Sequence, residues 1–96
     1  MKSLHKIEID WSEISNLAKM WNEIVDKSGH PSWHGRNLNA LNDGWVTGGL
    51  DGNGPPYSFC FRNVAMIPLE IREIAFAVME IADESVKENG GEIFHR

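Results

Sequence analysis

Ninety-six residues, 42% of them apolar and 24% charged, are expected to form one globular domain over 1–96 with enough length to bury a core. A net charge of −5 repels phosphate backbones, which argues against direct nucleic-acid binding and favours a basic protein partner. A single cysteine, Cys60, excludes an internal disulfide framework and suits a reducing compartment; no apolar run nears the ~20 residues of a membrane span, and the N-terminus has no apolar segment long enough for a signal peptide.

The first element is "LHKIEID", where Leu4, Ile7 and Ile9 alternate imperfectly with polar residues and predict a strand. Asp10 or Ser12 can cap a following helix, with Glu13 placed as in a capping box. Ile14, Leu17, Ala18, Trp21, Ile24 and Val25 recur at helical spacing as its apolar stripe, and Ser28-Gly29 then Pro31 end it. After a loop, a short helix runs from about Asn37 to Asp43, and "TGGLDGNGPP" reads as a flexible turn region. "YSFCFRNV" is aromatic and β-prone, as a central strand would be. Pro68 suits the first turn of a long last helix with Ile71, Ile74, Ala75, Val78, Ile81, Ala82 and Ser85 inward. Asn89-Gly90-Gly91 closes that helix, and "EIFHR" supplies a last strand. Both connections between strands are long enough for parallel pairing through right-handed crossovers, so the pattern predicts an α/β fold: a small three-stranded parallel sheet packed by helices.

Little in the sequence points to catalysis. His5, His30, His34 and His95 show no HxxxH or HExxH spacing and there is no CxxC, so no metal or other cofactor is expected. Cys60, between Phe59 and Phe61, reads as a small buried hydrophobe, with a nucleophile as the competing reading. There is no GxSxG, and "GGLDGNG" is not followed by the Lys-Ser or Lys-Thr of a phosphate loop.

The short helix is more informative. Arg36, Asn39, Ala40 and Asp43 fall along one side, so Asn39, Asn42 and Asp43 cluster, while Leu38, Leu41 and Trp45 turn inward. Asp43 lies near the helix C-terminus, where the backbone dipole disfavours an anion by ~0.3–1 kcal/mol. Two readings stand side by side: the acid meets a cation outside the chain, or it begins a turn with Gly44 or pairs with Arg36. The last helix carries Glu70, Glu73, Glu80, Asp83, Glu84 and Glu88 against Arg72 and Lys87, a net −4 out of the chain's −5. That run is either a solvated face or a field that steers basic proteins.

The stretch "HPSWHGRNLNALNDGW" resembles the signature of the barstar family, the intracellular inhibitors of secreted ribonucleases such as barnase. The family pattern of an aromatic, a glycine, Asn-Leu-Asp-Ala-Leu and an Asp two positions on is met by Trp33, Gly35, Asn37, Leu38, Ala40, Leu41 and Asp43. The order of elements fits over nearly the whole chain. The resemblance implies a barstar-like fold and an inhibitor whose loop aromatic and short-helix acids fill a nuclease active site. On that basis Asp43 is the central contact, standing in for a substrate phosphate. Trp33 stacks from the preceding loop, with core packing as its competing reading. Thr47 and Gly48 supply backbone contacts, and Glu84, or failing it Glu80, adds an acidic contact from the last helix. Asn39 and Asn42 stand where the best-known members carry Asp and Trp, which bears on the identity of the target.

Three functions follow. The first is a cytoplasmic inhibitor, an antitoxin or immunity protein, binding a basic secreted-type ribonuclease or nuclease toxin domain one to one as a monomer. The second is an acidic protein-binding module of the same fold with a non-nuclease partner, and the third a small enzyme using Cys60 or the histidines. A basic nuclease encoded nearby favours the first over the second, and a buried Cys60 counts against the third.

Overall fold

The computed structural model describes residues 4–29, 36–47 and 55–96. Three strands, β1 (His5–Asp10), β2 (Tyr57–Arg62) and β3 (Gly91–His95), form one parallel sheet in the order β1-β2-β3. The helices are α1 (Leu17–Ser28), α2 (Leu38–Asn42) and α3 (Arg72–Asn89). The strand expectations and the end of α3 agree with this to within a residue or two.

Register explains which strand residues are buried. His5 stands opposite Tyr57 and Tyr57 opposite Gly91, so Ile7, Phe59 and Ile93 share one row, while Glu8, Cys60 and Phe94 share a row on the other face. Two successive right-handed crossovers in one direction put both connections on the same side of a sheet. The core accordingly joins Ile7, Ile9, Phe59 and Phe61 to Trp21 and Ile24 of α1 and Ala75, Val78 and Ala82 of α3. The second face carries exposed Lys6, Glu8, Arg62, Glu92 and Phe94. Parallel sheets are usually covered on both faces; this one keeps a solvated face, hence the polar residues interrupting β1. Cys60 lies on that face and is half-buried rather than buried.

The start of α1 differs from the sequence expectation. Asp10 caps only a single 3₁₀ turn, Trp11–Glu13, and α1 begins at Leu17 with Asn16 as its cap, Oδ1 accepting from the Lys19 N–H at 2.8 Å. Ile14 is buried but precedes the helix, so it cannot set the phase of the stripe. The buried face is Met20, Trp21, Ile24 and Ser28; Leu17 and Ala18 are exposed. Similarly, Pro68 leads into a 3₁₀ turn, Leu69–Ile71, before α3 begins. The expected inner stripe of α3 is otherwise present, with Ile74 and Ile81 half-buried and Met79 added to it.

Asp10 does more than cap a turn. Its Oδ1 accepts from the Ser12 N–H at 3.0 Å, from Ser12 Oγ at 2.7 Å and from Asn63 Nδ2 at 2.8 Å. The Asn63 bond, then those from Ser12, hold the carboxyl below its ordinary value. A lowered carboxylate contributes stability that is complete above its unfolded-state value and is lost as pH falls through the lowered one. Melting temperature should therefore drop as the solution is taken below the usual carboxylate range, and Asp10→Ala should flatten that part of the profile; parallel slopes in the two proteins would remove Asp10 from it.

Gly91 opens β3 at φ +101°, and a Cβ there would run into the Tyr57 carbonyl oxygen on the neighbouring strand. Gly91→Ala should cost more than ~1 kcal/mol, read as a lower urea midpoint.

Candidate functional site

Gly29 ends α1 in the left-handed conformation at φ 71°. Trp33, His30 and His34 lie outside the described residues. Asn37 then caps α2, its Oδ1 accepting from the Ala40 N–H at 2.8 Å. A helix this short is marginal alone, and packing supplies what length does not. Leu41 is buried, Leu38 half-buried, and the chain continues beyond Asn42 as a wider π-helical turn, Asp43–Thr47, that buries Gly44 and Trp45. Such turns recur at functional sites.

Trp45 is the anchor. Its ring lies 4.8 Å from that of Phe59 and 6.5 Å from that of Tyr57, and its Nε1–H donates to the buried Ser28 Oγ at 2.9 Å. The Tyr57 hydroxyl approaches the Gly44 carbonyl at 3.4 Å. From α3, Asn89 Nδ2 donates to the Val46 carbonyl at 2.7 Å. The turn after α2 is thereby held from α1, β2 and α3.

With that side inward, Asn39, Asn42, Asp43 and Thr47 are all exposed. Ala40 belongs to the buried side, not to the polar one. Asp43 does not pair with Arg36, whose Nη1 donates to Asn22 Oδ1 on α1 at 2.6 Å. It does begin a turn with Gly44, the π-helical one, and its side chain stays exposed there. Among the described residues the Asp43 carboxylate accepts no hydrogen bond and makes no ion pair. Because the helical run continues through Thr47, Asp43 does not sit at a helix C-terminus as the sequence suggested, and the backbone dipole does not oppose it there.

Glu84 and Glu80 are exposed on α3, and Gly48 lies outside the described residues. Asn39 also lines a shallow groove of about 360 Å³ with Arg36, Leu17, Trp21, Leu38 and Ile74. The sequence pattern gave no sign of it, because its walls come from three helices. It also treated Ser28 and Asn89 only as helix ends; both hold the turn, and neither contact joins residues close enough in sequence to show in a local pattern.

Among the described residues Cys60 and the histidines are not brought together. Cys60 lies on the solvated face, whereas His5 and His95 occupy rows of the opposite face. His5 Nε2 meets the Lys27 carbonyl at 2.9 Å, and the His95 ring packs 5.8 Å from that of Phe61. Among the described residues no three His, Cys, Asp or Glu side chains are grouped to hold a metal ion, and no helix is long and apolar enough to cross a membrane.

A three-stranded parallel sheet covered by helices on one face, with a short polar helix anchored by a tryptophan between the first two strands, defines a small α/β protein. Over residues 4–95 the chain matches the family described as Barstar (barnase inhibitor), and it belongs to that family. It is also similar to a curated protein named "Putative ribonuclease inhibitor YrdF" from Bacillus subtilis (strain 168), at 29% identity over 85 residues, 88% of this chain and 89% of the relative.

Trp45→Phe keeps most of the ring but removes the donor to Ser28 Oγ. Leaving that buried hydroxyl without its partner should cost about 1–3 kcal/mol. Urea unfolding should show a lower midpoint at unchanged slope; an unchanged midpoint would mean the bond contributes nothing to stability.

Proposed function

We propose that this protein inhibits a basic ribonuclease by filling its active site with the exposed face of α2 and the turn that follows. The observation that carries this reading is the Asp43 carboxylate: exposed, without a partner among the described residues, and fixed to the core through Trp45 two positions on. Membership of a family described as barnase inhibitors supplies the class of target.

In this reading Asp43 takes the place of a substrate phosphate and accepts charge-assisted hydrogen bonds from Arg, Lys or His side chains that would otherwise hold RNA. Asn39, Asn42 and Thr47 extend the contact along the same surface. Trp33 and Gly48 complete it from the flanking segments, and Glu84 adds an anion from α3. The net charge of −5 accelerates encounter with a cationic nuclease. No cofactor is needed, because inhibition is occlusion. A one-to-one complex of a monomeric, single-domain inhibitor in the cytoplasm, serving as antitoxin or immunity protein, is the setting that fits. Neutral Asn39 and Asn42, where the best-known members carry an acid and a tryptophan, support a target whose cleft differs from that of barnase.

The test is RNA cleavage by a panel of basic secreted ribonucleases, barnase among them, with and without this protein. The nuclease held most tightly should be inhibited stoichiometrically. Asp43→Ala should weaken its binding by about 2–5 kcal/mol, since a cation is left buried without its partner. Glu13→Gln, an exposed acid beyond the far end of β1, should change it by less than ~0.5 kcal/mol. Equal losses in the two variants would remove Asp43 from the interface.

A further inference from the structure

Asn89 is the last residue of α3 and is exposed, yet its side chain is committed to a bond spanning 43 residues of sequence. It donates to the carbonyl of Val46, near the trailing end of the turn that carries Asp43. Carbonyls at a helix end lack donors from their own helix. Asn89 thus supplies a cap from a different helix.

The residue type is informative. The usual side chain at a helix C-terminus is a cation, which favours the backbone dipole. A lysine at position 89 could donate to Val46 as well, but it would discharge an edge where Asp83, Glu84 and Glu88 precede it and Asp43 lies on the turn it touches. Lys87 already places one cation in the last turn of α3. A neutral amide at position 89 ties the turn to α3 without adding a second. The other two ties to the turn, Trp45 to Ser28 and Tyr57 to Gly44, are buried and belong to the core; the Asn89 bond is exposed and adds little to it.

We propose that Asn89 is a positioning residue for the nuclease contact: its amide pins the Asp43 turn to the acidic end of α3, so that the inhibitory surface is ordered before the nuclease arrives. This rests on the reading of Asp43 given above. Order supplied in advance lowers the cost of binding and lengthens the life of the complex. Encounter depends on charge, which Asn89 does not carry.

Two variants test it. Asn89→Ala removes the side chain, and Asn89→Asp keeps its shape but removes the donor. In the free protein, amide hydrogen exchange over residues 43–47 should accelerate in both variants, while exchange in β1 and β2 stays as in the wild type. With the panel ribonuclease that the wild-type protein holds most tightly, dissociation of the Asn89→Ala complex should be about three- to tenfold faster. Its association rate and the salt dependence of that rate should not change. Unchanged exchange over 43–47 overturns the proposal whatever the nuclease does. Faster exchange with unchanged dissociation also overturns it, and if Asp43→Ala still weakens binding the inhibitor reading stands without it. If no ribonuclease in the panel is held, or Asp43→Ala has no effect, that reading fails and the role of Asn89 fails with it.

Discussion

The candidate surface depends on one side chain, Trp45, being fully buried beside it. The five residues of α2 are too few to be stable as a helix in water. What fixes them is the indole of Trp45 against Phe59, its N–H on Ser28, and Leu41 beneath the same turn. Because Trp45 is drawn into the core, Asp43 two positions earlier must turn outward. Stability and presentation thus have one cause, and the polar face needs no interactions of its own to be held in place.

That arrangement lets the protein keep local features that a fold selected only for stability would discard. The Asp43 carboxylate is exposed and is not neutralised by Arg36, which is engaged with Asn22. The α3 helix carries much of the net negative charge on its exposed face, at a cost in self-repulsion. Contradictions between local preference and structure are expected at functional sites, where compensation comes from elsewhere. Here it comes from a core rich in large side chains, with Trp11, Trp45, Tyr57, Phe59 and Phe61 fully buried.

Most of the fold was legible in the sequence because its signals are local. The aromatic run of β2, the inward stripe leading into and along α3 and the Gly90-Gly91 break are each written in a short stretch of sequence. The phase of α1 was misread because Ile14 is apolar and correctly spaced yet precedes the cap at Asn16. Cys60 was expected to be buried because alternation does not reveal whether a sheet has one covered face or two. For the site, the exposed set Asn39, Asn42 and Asp43 and the inward set Leu41 and Trp45 followed from helical spacing. The π-helical turn, the Asn89 bond to Val46 and the Arg36 bond to Asn22 did not, since each depends on elements brought together only by the sheet. The identity of the target class came from the family, not from spacing.

If the carboxylate of Asp43 occupies a phosphate site, inhibitor and active-site ligand must exclude one another. The direct measurement is the affinity of this protein for its ribonuclease at rising concentrations of a mononucleotide that binds the same catalytic cleft. The account predicts that the apparent dissociation constant climbs in proportion to nucleotide concentration once the cleft is saturated, with no ternary complex at any ratio. A dissociation constant indifferent to nucleotide, or a stable complex of all three, would contradict it.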